Sequence, residues 1–473
     1  MAALRLRHVS LLLVLAIGSR GCESKIDTNN IHSSAEASSP PGPARMPRPV
    51  AFSNTTPIPN HYIVQYHDGV EAAARAAHLN SVHAAAVVNP GGAYRGVIKH
   101  INIGSGFSAF HGELPPEQVQ QLRDDNLIKR VEQDAVIRLA APVHQSKHVE
   151  THRRAKPKLD SGSVSAAAAG GLYGNIRTVE TPGSWGQARI SHRDRGVSSY
   201  VYEPRDDTTV YIIDSGIRLT HSEFINGDSD GPSRAVWGHN FIENNDSEDD
   251  EAGHGTHVAG TIGGLHYGVA VKTRLVALKV FDGNSEGTWS GVIQAVEWAC
   301  NDTVARNASG LSVINMSLGG GVMQSVNEAV SNAVQHYNVT VVVAAGNEDQ
   351  DVANVSPASS NYTISVAAID DSDTRPYWSN FGEGVTVFAP GDSITSAWNA
   401  ADDATAVLSG TSMASPHVAG LAAYFMGLYG PLTPDQVRKL VVNKATVGLV
   451  TDPGPNSPNL IAFNGNPAEL SQS

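Results

Sequence analysis

The sequence predicts an α/β protein: a mostly parallel sheet flanked by helices, preceded by a smaller α+β unit. Three observations lead there. Apolar, β-branched runs at 210–213, 275–281, 311–316, 339–345, 364–369 and 385–389 are continuous rather than alternating, the mark of strands buried on both faces. Helical patterns at 292–299 and 326–336 lie between them, as crossovers joining parallel strands do. Ahead of residue 181 the strand patterns alternate instead and follow a β-α-β-β-α-β order, which predicts a small ferredoxin-like sandwich.

In chain order, Arg5, Arg7 and His8 precede an apolar run at 11–17 and the small residues Ala16 and Gly18, so residues 1–18 read as a signal peptide. That run falls short of the roughly 20 residues a membrane-spanning helix needs, so a secreted protein with no membrane partner is expected. Cys22 follows Ser19-Arg20-Gly21, a poor lipid-attachment context. Residues 19–56 are rich in Ser, Pro and Asn and form a spacer. The compact unit at 57–140 places strands at 61–66, on either side of Gly104-Ser105-Gly106, and at 128–139, with helices at 70–82 and 115–124. Residues 141–180 hold Lys147, Arg153, Arg154, Lys156 and Lys158 and then an Ala-rich stretch ending at Gly170-Gly171, the composition of an exposed, cleavable linker.

The charge divides sharply. Residues 1–180 carry 19 basic and 14 acidic residues, net +5; residues 181–473 carry 14 and 32, net −18. An acidic body excludes nucleic acid as an expected partner, because phosphates require the opposite sign. The asymmetry reads either as a soluble surface or as a basic front half docking on an acidic back half. Two cysteines in 473 residues exclude a disulfide scaffold, and Cys300 is expected to be a small buried apolar residue. Sequons at Asn245, Asn301, Asn307, Asn338 and Asn361 suit a secreted chain, whereas the one at Asn315 falls in a buried strand and is expected to stay unmodified.

Three sites could do chemistry. The strand at 210–213 ends on Asp214; alone, an Asp there is most often a turn or cap residue. Gly253-His254-Gly255-Thr256-His257 opens a small-residue helix, and two histidines three apart could instead hold a metal, although no third ligand follows. Gly410-Thr411-Ser412-Met413-Ala414-Ser415-Pro416 places Ser412 at the start of another helix, with Pro416 expected in its first turn. Together they make chemical sense. A serine hydroxyl needs imidazole as its base, and imidazole needs a carboxylate to orient it. The first N–H groups of the Ser412 helix and the amide of Asn347, after Ala344-Ala345-Gly346, would serve a developing oxyanion. The acidic run Asp246, Glu248, Asp249, Asp250, Glu251 ahead of His254 has three readings: calcium binding, attraction of basic substrate residues, or a solvated loop.

These segments resemble the subtilisin-like serine endopeptidases, most of all their proteinase K branch, from Trp185-Gly186-Gln187-Ala188-Arg189-Ile190 to Leu460-Ile461-Ala462-Phe463-Asn464. The sandwich resembles that family's inhibitory prosegment. The resemblance implies a zymogen with a prosegment at 57–140, a processed linker at 141–180 and a catalytic domain at 181–473. It implies Asp214 as orienting acid, His254 as general base, Ser412 as nucleophile, and Asn347 with Ser412 as the oxyanion hole. It implies that Ser317, Leu318, Gly319 and Gly320 pair with an extended substrate and form one wall of the P1 pocket, with Ala344, Ala345 and Gly346 opposite. No charged residue stands in either wall, so large apolar or aromatic P1 residues are expected. The partners expected are protein and peptide substrates and the chain's own prosegment, with the enzyme a monomer. No cofactor is needed for the chemistry. The aspartate of a structural calcium site falls, on ungapped matching from Asn347, at Thr386, which has no carboxylate. A competing reading is a relative that cleaves itself once and then keeps its prosegment, acting by display; a metallohydrolase using His254 and His257 is a third.

Overall fold

The computed structural model describes residues 55–89, 94–139, 176–205, 207–226, 231–242 and 247–470. The predicted signal peptide, Cys22, nearly all of the spacer, residue 140, most of the linker and Asp246 lie outside them. Among the described residues, no helix is long and apolar enough to cross a membrane.

The front unit folds as β1 (Thr55–Tyr66), α1 (Ala72–Val87), β2 (Gly96–Ile103), β3 (Phe107–Glu113), α2 (Pro116–Arg123) and β4 (Ile128–Arg138). Its antiparallel sheet has the order β4-β1-β3-β2, that of the expected ferredoxin-like sandwich. Alternation along the strands sends residues to two faces. Val64, Tyr66 and Phe110 meet Val82 and Ala86 of α1 and Val119 and Leu122 of α2. Ile63, Ile101, Ile103, Phe107, Ala109, Ala135 and Ile137 face the other way, into the core of the following domain.

That domain is built on β5 (Thr209–Asp214), β6 (Ala235–Asn240), β7 (Arg274–Lys279), β8 (Glu286–Thr288), β9 (Ser312–Met316), β10 (Thr340–Ala344), β11 (Ile364–Ile369), β12 (Val387–Pro390), β13 (Thr446–Val447) and β14 (Leu460–Ile461). Nine of them form a sheet in the order β13-β14-β12-β11-β10-β9-β5-β7-β6, parallel throughout except for β13. The tenth, β8, pairs antiparallel with β4 of the front unit. Helices α3 (His254–Gly263), α4 (Trp289–Ala305), α5 (Gln324–Tyr337), α6 (Thr411–Tyr429) and α7 (Pro434–Lys444) accompany the strands. Successive residues of the sheet serve opposite cores: Val210 and Ile212 pack with α3 and α6, Tyr211 and Ile213 with α4 and α5. The continuous β-branched runs are thereby explained, since neither face is left to water.

The two units also share polar contacts at helix starts. The Glu132 carboxylate accepts from the backbone N–H groups of Gln324 (3.0 Å) and Ser325 (2.8 Å) and from the Ser325 hydroxyl (2.5 Å). α5 has no side-chain cap and no acidic residue of its own in its first turn, so Glu132 answers its orphan donors and its dipole. Asp134 adds to α4, which Thr288 already caps, accepting from Ser290 N–H at 3.2 Å. In the opposite sense, Glu328 of α5 receives Lys129 Nζ (2.8 Å), Arg130 Nη1 (2.8 Å) and Gln65 Nε2 (2.5 Å).

Candidate active site

Parallel sheets expose their working residues beyond the carboxyl ends of the strands, and the predicted site residues gather there. Asp214 is the last residue of β5 and is fully buried. His254 opens α3, reached through Gly253 at φ +88°, a left-handed conformation that suits glycine. The next residue, Gly255, lies so close to the Gly216 carbonyl that a Cβ has no room, which lets the start of α3 close down on the end of β5. In consequence His254 Nδ1 donates to Asp214 Oδ1 at 2.8 Å and Oδ2 at 3.0 Å. Burial alone would lower the His254 pKa, but the charge and hydrogen bond of Asp214, with the nearby charge of Asp250, outweigh it and hold the pKa above the ordinary 6.5.

Ser412 is the second residue of α6, in the turn whose N–H groups have no intrahelical acceptor. Its hydroxyl donates to the Ser317 carbonyl at 3.1 Å, and no hydrogen bond joins it to His254. Asn347 is fixed beside it. Asn347 Oδ1 accepts from the Thr411 backbone N–H (2.9 Å) and the Thr411 hydroxyl (2.8 Å), which leaves the amide nitrogen as the outward donor. Gly346 N–H donates to the same Thr411 hydroxyl (3.0 Å), so Ala344, Ala345 and Gly346, at the end of β10, adjoin the start of α6. Leu318 is buried, Gly319 lies against Val355, and Gly320 pairs with Ser356 in a short two-stranded sheet.

Pro416 departs from expectation. It lies in the second turn of α6, where a missing N–H strands the carbonyl of Ser412 four residues earlier. The Ser317 hydroxyl donates to that carbonyl at 2.9 Å. Ser317 therefore meets Ser412 twice, its hydroxyl on the Ser412 carbonyl and its carbonyl on the Ser412 hydroxyl.

The metal reading of the histidine pair loses its geometry. His257 faces the Ile394 carbonyl (3.0 Å) through Nε2, and burial and the charge of His254 push its pKa down to about 3. His417 is also buried, faces the Met413 carbonyl (2.8 Å) and is pushed down to about 4. Cys300 is fully buried in α4, and burial pushes its thiol pKa up. Thr386, where the sequence already lacks the family's calcium-site carboxylate, is engaged by an arginine. The Thr386 hydroxyl accepts from Arg438 Nη1 at 3.1 Å, while Nη2 of the same guanidinium donates to the carbonyls of Asn361 (3.2 Å) and Thr363. A fixed positive charge occupies the oxygens, and the carboxylate a divalent ion would require is absent from position 386.

Sequence reasoning missed three supports of the site. Asp250, inside the acidic run, is not solvated but buried. It accepts from Ser215 Oγ (2.7 Å), Gly253 N–H (2.7 Å), Thr256 N–H (2.8 Å) and Thr256 Oγ1 (2.7 Å), binding the start of α3 to the loop after Asp214. Lys279, fully buried at the end of β7, donates to the Ser215 carbonyl (2.8 Å) and pairs with Glu251 (3.1 Å). Asn380 holds the chain after Asn347: its Oδ1 accepts from Glu348 and Gln350 N–H (3.0 and 2.9 Å), and its Nδ2 donates to the Ala345 carbonyl (2.8 Å). Neither has a local sequence signal.

Comparison with known proteins gives consistent matches. The profile of the subtilase family matches residues 205–463, and that of peptidase inhibitor I9 matches 61–140. Alkaline proteinase of Hapsidospora chrysogena is 37% identical over 414 residues, 87% of this chain and 93% of that one. Subtilisin-like protease 2 of Pseudogymnoascus destructans is 44% identical over 324 residues, 66% of this chain and 77% of the relative. A cuticle-degrading serine protease of Arthrobotrys oligospora is 45% identical over 293 residues, 60% and 69% of the two chains. Among solved structures, a cold-adapted subtilisin-like serine proteinase superposes with a TM-score of 0.54 at 40% identity, covering 59% of this chain and 97% of its own.

Proposed function

This chain belongs to the subtilase family and is a serine endopeptidase carrying its own I9 inhibitor segment, and from that premise we propose that Asp214, His254 and Ser412 are its catalytic triad. Ser412 Oγ turns from the Ser317 carbonyl to attack a peptide carbonyl, and its proton passes to His254 Nε2. Asp214 keeps the Nδ1 proton in place and stabilises the imidazolium. The oxyanion is met by the Ser412 N–H and by Asn347 Nδ2, aimed outward because Oδ1 is held by Thr411. The imidazolium then protonates the leaving amine, and water hydrolyses the acyl-enzyme by the same steps reversed.

The substrate lies along Ser317, Leu318, Gly319 and Gly320, with Ala344, Ala345 and Gly346 across from them. The uncharged character of both segments supports a preference for apolar or aromatic P1 residues. The domain limits are those of the sequence reading: signal peptide 1–18, spacer 19–56, prosegment 57–140, linker 141–180 and catalytic domain 181–473. The product is a secreted monomer released by removal of the prosegment. The observation that carries this reading most is the paired hydrogen bond from His254 to Asp214, taken with a serine at a helix start. A fluorophosphonate probe should label the mature protein covalently and fail on Ser412→Ala. Equal labelling of the two would remove Ser412 as nucleophile.

A further inference from the structure

An ion pair between prosegment and body takes no part in the catalytic reading. β4 runs antiparallel to β8 with Val136 opposite Thr288, Ile137 opposite Gly287 and Arg138 opposite Glu286. The Leu139 N–H continues the ladder onto the Ser285 carbonyl at 3.0 Å. Across it, Arg138 donates from Nε (2.8 Å) and Nη2 (2.6 Å) to Glu286 Oε1.

β8 borders the active site. It follows β7 by one turn, and the first residues of that turn, Val280 and Phe281, donate their N–H groups to the Asp214 carbonyl (2.8 and 3.3 Å). The turn is closed by Asp282, whose carboxylate accepts the Glu286 N–H at 2.9 Å. β4 is the strand to which β8 pairs in its sheet, so departure of the prosegment uncovers that edge. The tail runs from Thr288 toward Ser285, into the turn whose Gly283 lies against Glu251, three residues ahead of His254. A peptide laid in its place would therefore present residues on the amino side of the bond to be cut.

An added strand is held by its backbone whatever its sequence, and side chains select only where the edge offers something to meet. Here the position opposite Gly287 meets no side chain. The position opposite Glu286 meets a carboxylate that is 42% exposed even with Arg138 in place. Lys99 and Arg138, the nearby cations, belong to the prosegment and leave with it. Of the acidic run before the catalytic histidine, Asp250 is spent on the start of α3, and Glu251 pairs with Lys279.

We infer that Glu286 is a specificity-determining residue: in the freed enzyme it selects Lys or Arg at the substrate position opposite it, on the amino side of the scissile bond. The inference rests on the protease reading above and adds a subsite preference to it. Arg138 is then the prosegment's copy of the preferred residue. An ion pair this exposed corresponds to a modest preference, about two- to five-fold in kcat/KM.

The test is a mixed peptide library digested by the mature wild type, Glu286→Gln and Glu286→Lys, with cut sites mapped by mass spectrometry. Wild type should enrich Lys and Arg at one position on the amino side, Glu286→Gln should lose that enrichment, and Glu286→Lys should replace it with Asp and Glu. Raising the salt should weaken the wild-type signal. No basic enrichment in wild type, or the same enrichment in Glu286→Gln, would overturn the assignment and leave the ion pair as a prosegment contact alone. A library left uncut by wild type would instead sink the protease reading, and this one with it.

Discussion

The prosegment and the catalytic domain solve the same packing problem with different completeness. The catalytic sheet buries both faces under its own helices, α3 and α6 on one side and α4 and α5 on the other. The prosegment sheet covers one face with α1 and α2 and hands the other, with Ile63, Ile101, Ile103, Phe107 and Ile137, to the neighbour's core. Each such side chain is worth roughly 1.5–3 kcal/mol when buried. The prosegment is thus half closed by itself and completed by docking. In return it lends Glu132 and Asp134 to the first turns of α5 and α4. Residues 57–140 themselves carry 7 basic and 8 acidic residues, net −1, so the +5 of residues 1–180 does not describe the interface. Helix dipoles decide it at Glu132 and Asp134, while Lys129 and Arg130 answer the local charge of Glu328.

If chemistry belongs to one region and completion to the other, the two should separate by mutation. Asn347→Ala should lower kcat by about 10²–10³, the scale known for the corresponding donor of subtilisin, with KM little changed. Prosegment affinity should stay as it was; a parallel loss would merge the two regions. Glu132→Ala combined with Asp134→Ala should do the reverse. Each lost cap is worth about 0.5–2 kcal/mol, so prosegment release should speed by about 5- to 1000-fold while kcat of the freed enzyme holds.

The catalytic region also has a pH signature of its own. His254 must be neutral to act as base, and its pKa is raised above 6.5. The acid limb of kcat/KM should therefore lie above that of a free imidazole. Asp250→Asn removes one negative charge that raises it and should move the limb to lower pH; an unmoved limb would deny Asp250 its electrostatic part. The smallest effect is expected far from both the chemistry and the interface. Arg438→Met should cost several degrees of Tm, and added calcium should not restore them, because Thr386 offers no carboxylate. Recovery with calcium would mean the oxygens form a metal site after all.

Much of this was legible in the sequence because the chemistry lies in short local motifs. A strand end, two helix starts and an amide after a glycine carry Asp214, His254, Ser412 and Asn347, and the β-branched runs carry the sheet. What escaped is whatever tertiary contact creates. Pro416 reads as a first-turn proline until the Ser317 hydroxyl is seen on the Ser412 carbonyl. Lys279 and Asn380 act through residues distant in sequence. β8 is only Glu-Gly-Thr, with no strand signature, since its pairing partner comes from a segment almost 150 residues earlier. Asp250 was visible, but none of its three readings anticipated a buried carboxylate holding the start of α3.

The Arg438 cradle differs from a metal site in its dependence on the surroundings. An ion on those three oxygens would exchange with the medium, and its occupancy would follow the free concentration by mass action. A guanidinium delivered by α7 is present at a constant effective concentration, set by the chain itself. Dilution and sequestration have no purchase on it, so this corner of the catalytic domain keeps its counter-charge wherever the enzyme goes.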